Sequence, residues 1–298
     1  METVYGFLSD ADRGTSRHII QAHLGNFIRR GVHAVVLLGE MGDLENGIAS
    51  WAHDHHKNLF TIPGSHESLD WITQMRLLQQ SYGIVNGIDQ PFFDMRDHQL
   101  VFVPGTELVA GAGGFYLTNE GVTGVRMSPG GAGYFFNVND IARSVIDPRT
   151  TLVMAHTPPL QQGPDATDYA YFHEGEMEET VGDHTHVQRY VTPGIDEEYR
   201  NLCRLSDEKL PVQHANRGYG PLRNAVDRVF PRGTLKLPHG HFTETFGRAR
   251  TRDGHRVPER TYVSEVIHNA SSLDVHMKAG IWTYCNGQVA VEKVPLPV

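Results

Sequence analysis

The sequence predicts an α/β fold in which short buried strands alternate with helices. Apolar runs of strand length recur along the first third of the chain, and a segment with helical periodicity separates the first two. A strand, a helix and a second strand in this order imply a parallel pair with a right-handed crossover. The apolar fraction of 39% and the charged fraction of 20% are those of an ordinary globular protein, and 298 residues suffice for one large core.

Four elements make up the first third of the chain. Val4–Leu8 is an apolar run that predicts a buried strand. Thr15–Arg30 carries apolar residues at helical spacing and predicts a helix, which Gly31 ends as a C-cap. His33–Leu38 and Leu59–Ile62 predict the second and third strands.

The remaining elements follow a glycine-rich middle. Gln99–Phe136 combines many glycines with short β-prone runs, which predicts strands and turns. Thr151–Ala155 predicts another buried strand. Further along, the patterns predict a helix over Pro221–Phe230, a strand over Thr234–Leu237 and several terminal strands from Thr261 onward.

The segment at about 160–220 is the least regular part of the sequence. It is polar, bears tyrosines and is acidic around Glu174–Glu179. We expect it to be an insertion or cap on a single domain that spans residues 1–298, with a disordered linker as the alternative.

Charge and cysteine content limit the partners and the compartment. The formal net charge of −9 argues against a broad basic nucleic-acid surface and makes a small phosphoester or nucleotide a better partner than duplex DNA. The sequence has no signal-peptide pattern at residues 1–10 and no apolar run of the roughly 20 residues that a membrane span needs. Cys203 and Cys285 are too few for a disulfide framework, so we expect a cytoplasmic protein.

Five predicted strands are each followed by a carboxylate or an imidazole. In open α/β sheets, ligands bind at the carboxyl ends of the strands, so this repeated pattern predicts one site at that edge. The five segments are Ser9-Asp10-Ala11-Asp12, Gly39-Glu40-Met41-Gly42-Asp43, Pro63-Gly64-Ser65-His66-Glu67, His156-Thr157-Pro158-Pro159 and Pro238-His239-Gly240-His241.

The order of these segments resembles the motifs of the calcineurin-like metallophosphoesterases. Those motifs run D-x-H, G-D-x-x-D, G-N-H-(D/E), H and G-H-x-H. Here they correspond to Asp10-Ala11-Asp12, Gly39–Asp43, Gly64–Glu67, His156 and Gly240–Thr243. The run that follows, Glu244-Thr245-Phe246-Gly247, is similar to the E-S-Y-G that ends the motif in one branch of the family. The resemblance extends from Val4 to the terminal strands, apart from the insertion.

The resemblance implies a metallophosphoesterase fold, a four-layer α/β/β/α sandwich of two mixed sheets with the site at the strand ends. In this family two divalent metals about 3.5–4 Å apart share a bridging carboxylate. Asp10 matches a ligand of the first metal, and Glu40 takes the bridging position. His156 and His241 match ligands of the second metal, and His66 matches the catalytic histidine that faces the leaving group.

Four positions depart from the family pattern. Asp12 stands in place of histidine, Glu40 of aspartate, Ser65 of asparagine and Thr243 of the final histidine. Asp12 and Glu40 remain competent oxygen ligands, whereas a neutral hydroxyl binds a divalent ion weakly. A second alignment pairs His239 with His241 as the H-x-H, but it breaks the match to the run after Thr243.

These departures predict an asymmetric metal site. We expect one tightly held divalent metal on the histidine side, such as Mn, Fe, Zn, Ni or Mg, and a second that is weak or absent. The expected function is metal-dependent hydrolysis of a phosphomonoester or phosphodiester by a metal-activated water. The alternative is a catalytically inactive member of the fold that acts as a binding or structural module.

Two histidine tracts lie outside these motifs. His53-Asp54-His55-His56 falls in a polar helix or loop, and we expect an exposed surface cluster there. Gly182-Asp183-His184-Thr185-His186 has the H-x-H spacing of metal ligands and could reach over the site from the insertion.

Overall fold

The structure is a computed structural model of the chain. It describes residues 2–11, 15–64, 67, 70–105, 114–118, 121–125, 133–136, 141–181, 184–193, 212–216, 218–242 and 245–296. The helices are α1 (Arg17–Arg29), α2 (Leu44–Asp54), α3 (Asp70–Tyr82), α4 (Ile141–Ser144), α5 (Gly220–Val229) and α6 (Leu273–His276).

The same residues form eighteen strands. They are β1 (Thr3–Leu8), β2 (Ala34–Leu37), β3 (Asn58–Thr61), β4 (Val85–Asn86), β5 (Phe92–Asp94), β6 (Gln99–Val103), β7 (Gly114–Thr118), β8 (Gly121–Val125), β9 (Gly133–Phe136), β10 (Thr151–Ala155), β11 (Tyr169–Val181), β12 (His184–Pro193), β13 (Val212–Asn216), β14 (Lys236–His239), β15 (Ala249–Arg250), β16 (Val266–Asn269), β17 (Ala279–Cys285) and β18 (Gln288–Val294). The chain therefore has a mixed α/β architecture, as the sequence predicted.

The largest sheet has the strand order β18-β17-β1-β2-β3-β4. Strands β1 to β4 are parallel, and β17 joins β1 antiparallel at the opposite side. The first predicted strand, helix and second strand are thus confirmed as β1, α1 and β2. Helix α3 was not predicted, and around His53, at the end of α2, the sequence left a polar helix or a loop open. The buried stripe of α2 is narrow, because only Ile48, Ala49 and Ala52 are its buried apolar residues, and a stripe this short gives little periodic signal.

Two smaller sheets lie beside each other on the far side of the core. Their strand orders are β10-β6-β5 and β14-β16-β15, with β10 parallel to β6 and β14 parallel to β16. The backbone N–H of Gly240, just after β14, donates to the carbonyl of His156, just after β10, at 3.1 Å. The carboxyl ends of these two strands therefore meet.

Three hydrophobic clusters form the core. Alternate residues of a strand face opposite sides, so Leu152 and Met154 of β10 join the central cluster while Val153 and Ala155 join the outer one. The central cluster includes Phe7, Val36, Phe60, Phe102 and Trp282. A second cluster packs α1, α2 and α3 on the large sheet through Phe27, Ile48, Met75 and Leu37. A third packs α4 and α5 on the smaller sheets through Ile141, Leu222, Val226 and Leu237.

The segment predicted to be an insertion contains a three-stranded antiparallel sheet of order β12-β11-β13. Its base is closed by the buried carboxylate of Asp168, which accepts hydrogen bonds from the backbone N–H groups of Gln161 (2.9 Å) and Gly218 (3.0 Å). Sequence reasoning found no strands here because β11 carries polar residues at both odd and even positions, so no apolar alternation marks it. No helix in the described part of the chain has the length and apolar character that crossing a membrane requires.

Candidate metal centre

Three side chains from three different strand ends converge at the edge that the sequence predicted. Glu40 follows β2, His156 follows β10 and His241 follows β14. Nε2 of His156 lies 3.2 Å from Oε1 of Glu40 and 3.1 Å from Nδ1 of His241. One ligand atom from each residue lies within 4.8 Å of the others, so the group could hold a metal ion.

His156 is fixed by a backbone contact. Its Nδ1–H donates to the carbonyl of Leu38 at 2.6 Å, which leaves Nε2 facing Glu40 and His241. Burial lowers the pKa of this imidazole, but the carboxylates of Glu40, Asp10 and Glu67 together outweigh burial and raise the pKa to about 9. A metal at Nε2 must displace that proton, so metal binding and proton release are coupled.

The loop that carries Glu40 is shaped by two glycines of the sequence motifs. Gly39 has a φ of 98°, and a Cβ added there would lie 2.6 Å from Cα of Gly64. A Cβ added to Gly64 would lie 2.7 Å from Cγ of Glu40 and 2.8 Å from Cε1 of His156. Real Cβ atoms do not approach neighbours this closely. Only glycine therefore lets the two loops and the imidazole pack against each other.

Asp10 holds the loop of His241 through its backbone. The N–H of His241 lies 3.2 Å from Oδ1 and 3.3 Å from Oδ2 of Asp10, and the hydroxyl of Ser9 donates to Oδ2 at 2.5 Å. Asp10, Glu40 and His241 all have left-handed φ values, of 55°, 58° and 71°. Asp10 thus borders the three-residue group but is not one of its members.

Glu67 is a buried carboxylate to which the sequence analysis gave no role. Its Oε1 accepts from the N–H of Met41 at 3.2 Å, and its Oε2 accepts from the N–H of Gly64 at 2.7 Å. The side chain therefore clamps the loop after β2 to the loop after β3. Burial and the nearby Glu40 raise the pKa of Glu67 to about 7. The signal was present, because Glu67 occupies the acidic fourth position of the G-N-H-(D/E) motif.

A third buried carboxyl lies next to this clamp. Glu45, in the first turn of α2, accepts a hydrogen bond from the hydroxyl of Thr61 at 3.0 Å. Burial and the charge of Glu67 raise the pKa of Glu45 to about 8. Glu67 and Glu45 are thus neighbouring buried acids whose protonated forms are favoured by burial and by the negative charge beside each of them. The sequence pattern gave no sign of Glu45, because an acidic residue is common in the first turn of a helix.

His239, the ligand of the second alignment, lies outside the three-residue group. Its Nδ1–H donates to the carbonyl of Gly240 at 2.8 Å, and its Nε2 accepts from the hydroxyl of Thr167 at 2.9 Å. Both ring nitrogens are therefore occupied by hydrogen bonds within the protein. Burial lowers the pKa of His239 to about 3, so the ring is neutral near pH 7. This arrangement favours the alignment that uses His241 without His239.

Four predicted site residues lie outside the described residues: Asp12, Ser65, His66 and Thr243. Their roles stay predictions. The tract at His53–His56 forms the end of α2 and the residues after it, where Nδ1 of His55 contacts the carbonyl of Trp51 at 2.9 Å. His53, His55 and His56 are exposed, as the sequence analysis expected.

The fold and the site together define a mixed α/β protein with a candidate metal centre at the strand ends. No protein-family model and no curated protein matches the chain. One crystal structure matches over 99% of this chain and 100% of its own, with a TM-score of 0.52 and 8% identity. The crystal structure of TT1561 of Thermus thermophilus matches over 100% of both chains, with a TM-score of 0.50 and 8% identity. At this identity the likeness concerns the fold alone.

Proposed function

We propose that this protein is a metal-dependent phosphoesterase of the calcineurin-like type. The three core clusters support the four-layer α/β/β/α arrangement that this assignment requires. The helices α1 to α3 pack on the large sheet, the large sheet packs on the smaller sheets, and α4 and α5 pack on their far side. In such a sandwich the loops at the carboxyl ends of the strands would share one edge.

The observation that carries the proposal is the convergence of Glu40, His156 and His241. Each follows a different strand, and each stands at a motif position of the family that the sequence resembles. Two imidazoles and one carboxylate suit a divalent transition ion, so the residues present fit such a metal. A bound divalent ion would supply Lewis-acid activation of a phosphoryl oxygen and lower the pKa of its water. His156 would face that ion through Nε2, because Nδ1 is bonded to Leu38.

The substrate class comes from the family resemblance, which implies a phosphomonoester or phosphodiester. The net charge of −9 favours a small substrate of this class over duplex nucleic acid. His66 would protonate the leaving oxygen, as its motif position implies. His66→Ala should then lower kcat by about 10²–10⁴ with metal content retained.

A non-catalytic binding module is the second candidate, and one observation favours it. In the described part of the chain, the residues that could hold an ion form a single three-ligand group. Asp10, the expected ligand of another metal, has its carboxylate against the N–H of His241 and the hydroxyl of Ser9. This arrangement agrees with one tight metal and a second that is weak or absent.

Metal analysis combined with an ester survey separates the two candidates. The purified chain would be loaded in turn with Mn²⁺, Zn²⁺ and Ni²⁺ and assayed on an aryl phosphomonoester and an aryl phosphodiester. The His156→Ala/His241→Ala variant tests the site, and His55→Ala is a matched control because His55 is exposed. Hydrolysis that requires His156 and His241 supports the enzyme. Metal bound without hydrolysis supports the binding module, and unchanged metal content in the double variant would refute both.

A further inference from the structure

The residues just before β11 are hydrogen-bonded to the loop that carries His241. The hydroxyl of Thr167 donates to Nε2 of His239 at 2.9 Å, and the carbonyl of Thr167 accepts from the hydroxyl of Thr245 at 2.5 Å. His239 and Thr245 come before and after His241 in the chain. The fully buried Thr167 therefore holds the loop at two points, one on each side of this candidate ligand.

Asp168, the next residue along the chain, is held by three donors. Its Oδ2 accepts from the N–H groups of Gln161 (2.9 Å) and Gly218 (3.0 Å), and its Oδ1 accepts from Nδ2 of Asn216 at 2.8 Å. Because the carboxylate is buried, these donors replace its contacts with water. Gln161 also donates from Nε2 to the hydroxyl of Thr167 at 2.5 Å. The contacts of Asp168 therefore fix the backbone that carries Thr167.

The direction of each hydrogen bond at the hydroxyl of Thr167 is determined. Nδ1 of His239 lies 2.8 Å from the carbonyl of Gly240, which can only accept, so the proton of the neutral ring is on Nδ1. Nε2 is then an acceptor, and the hydroxyl proton of Thr167 must be donated to it. The hydroxyl oxygen accepts from Gln161 in turn. Valine at this position would satisfy neither neighbour, whereas serine would satisfy both.

We infer that Asp168 is a positioning residue for the candidate metal centre. It fixes Thr167, and Thr167 fixes the loop of His241 through the two hydrogen bonds described above. The loop needs such support because His241 is half-buried and has a φ of 71°, a left-handed conformation that is unfavourable for a residue other than glycine. The inference rests on the metal centre of the proposed function, but it does not depend on the reaction that the centre performs.

The first test requires neither metal nor substrate. It measures hydrogen exchange of the backbone N–H of His241, which donates to Oδ1 of Asp10 at 3.2 Å. In Asp168→Asn the new NH₂ group must face a donor whichever way the amide turns, so the contacts that hold Thr167 are weakened. In the metal-free chain the N–H of His241 should then exchange about 5-fold faster or more, because the loop opens locally more often.

Glu265→Gln is the matched control. Glu265 is also a buried carboxylate that accepts from two backbone N–H groups, those of Gly233 (2.6 Å) and Arg252 (2.9 Å). It lies just before β16, whereas the site is at the carboxyl ends of the strands. Glu265→Gln should destabilise the fold but change the exchange of His241 by less than about 2-fold.

The second test is a Zn²⁺ titration of the full chain, competed against a chromophoric chelator. Asp168→Asn and Thr167→Val should each weaken Zn²⁺ binding by about 5-fold. This is less than the roughly 10–100-fold typical of a partner that touches a ligand, because both residues act through others. Thr167→Ser keeps the hydroxyl and should stay within about 2-fold of the wild type. The Asp168→Asn/Thr167→Val variant should lose little more than either single variant, since the two residues belong to one network.

The results separate positioning from a general effect on folding. If Asp168→Asn changes His241 exchange and Zn²⁺ affinity no more than Glu265→Gln does, the inference is overturned. Equal losses in Thr167→Ser and Thr167→Val would also contradict it, and this pair decides the question if Asp168→Asn does not fold. Absence of Zn²⁺ binding in the wild type would refute the proposed function, and the exchange of His241 would then decide the positioning role alone.

Discussion

His239 and His241 are separated by one residue, yet they lie in two different environments. His241 faces His156 across 3.1 Å at the strand ends and has a ring nitrogen directed at the candidate metal position. His239 is fully buried, and both of its ring nitrogens are bonded, to Gly240 and to Thr167. One imidazole is placed to bind an ion, and the other connects β14 to Thr167, which lies just before β11.

The comparison shows that histidine spacing does not by itself define a ligand pair. Thr167 accepts a hydrogen bond from Gln161, and its carbonyl accepts one from the hydroxyl of Thr245. The network therefore holds the segment on both sides of His241 against Thr167, just before β11. His239 stabilises the loop that positions His241 and has no free nitrogen for a metal in this arrangement.

The largest expected effect is on metal affinity, which should fall much more when His241 is replaced than when His239 is replaced. His241→Ala should weaken the tight metal by about 100-fold or more, because it removes one of three ligands. His239→Ala should change the affinity by less than about 10-fold, the lower range for residues that orient ligands. Isothermal titration with Zn²⁺ or Mn²⁺ measures both. Equal losses in the two variants would place His239 among the ligands and restore the second alignment.

The next prediction concerns folding stability, for which His239 should matter more than His241. His239→Ala should lower the free energy of unfolding by about 2–3 kcal/mol, because the substitution leaves buried partners unsatisfied. His241→Ala, at a half-buried position, should cost less than about 1 kcal/mol in the metal-free protein. Urea denaturation of both variants gives the comparison. Thr167→Val removes the same hydrogen bond without emptying the ring site, so it should show part of the His239→Ala loss.

A smaller effect tests whether Glu67, which joins the loop after β2 to the loop after β3, also influences metal affinity. Glu67→Gln replaces one acceptor with an NH₂ group that would face a backbone N–H. The loop of Glu40 should shift, and metal affinity should fall by about 10-fold, as for other residues that orient a ligand. Glu292→Gln, far along the sequence on β18, is a control of the same chemistry. If metal affinity is unchanged in Glu67→Gln, the hydrogen bonds of Glu67 stabilise the two loops but do not influence metal binding.

The smallest effect is the pH dependence of stability that His239 contributes. Its pKa is about 3 in the folded chain and near 6.5 when unfolded, so the unfolded state binds the extra proton as pH falls. The stabilisation is complete above pH 6.5 and is lost on acidification below it. Between pH 7 and 5.5 the loss is about 1 kcal/mol for this group. His268, whose pKa burial also lowers to about 3, should add a similar amount.

Denaturation curves of the metal-free protein at pH 7 and pH 5.5 measure how the free energy of unfolding changes with pH. His239→Gln removes one titrating group and should make the change in the free energy of unfolding between pH 7 and 5.5 less destabilising by about 1 kcal/mol than in the wild type, whereas His55→Ala should leave the change unaltered. A slope that is the same in His239→Gln would show that the buried imidazole does not control acid stability.

The sequence predicted the site edge because the signal there is local. An apolar run followed by a carboxylate or imidazole marks the carboxyl end of a strand, and this identified the segments of Glu40, His156 and His241. The assignment of His239 depended on where β14 ends. We predicted Thr234–Leu237, but the strand spans Lys236–His239. His239 is therefore part of the strand, and His241 follows it.

The surroundings of the buried acids could not be predicted in the same way, although Glu67 stands at an acidic motif position. Glu67 and Glu45 receive their environment from loops and helices that meet only in three dimensions, through Met41, Gly64 and Thr61. The strands β11 and β12 were missed for a different reason, since polar residues on both faces remove the apolar alternation. The register that pairs β11 with β12 is likewise not encoded locally in the sequence.

The left-handed backbone at Asp10, Glu40 and His241 has a consequence for how this chain would respond to selection for thermal stability. A non-glycine residue in this conformation costs roughly 1–2 kcal/mol that glycine would not. A library screened for heat resistance alone should therefore accumulate glycine at Glu40 and His241. Each such clone would be more heat-resistant and would have lost a ligand. In a screen for metal retention the same clones should disappear. Running the two screens in parallel would therefore show that the native residues at these positions favour metal binding at a cost in folding stability.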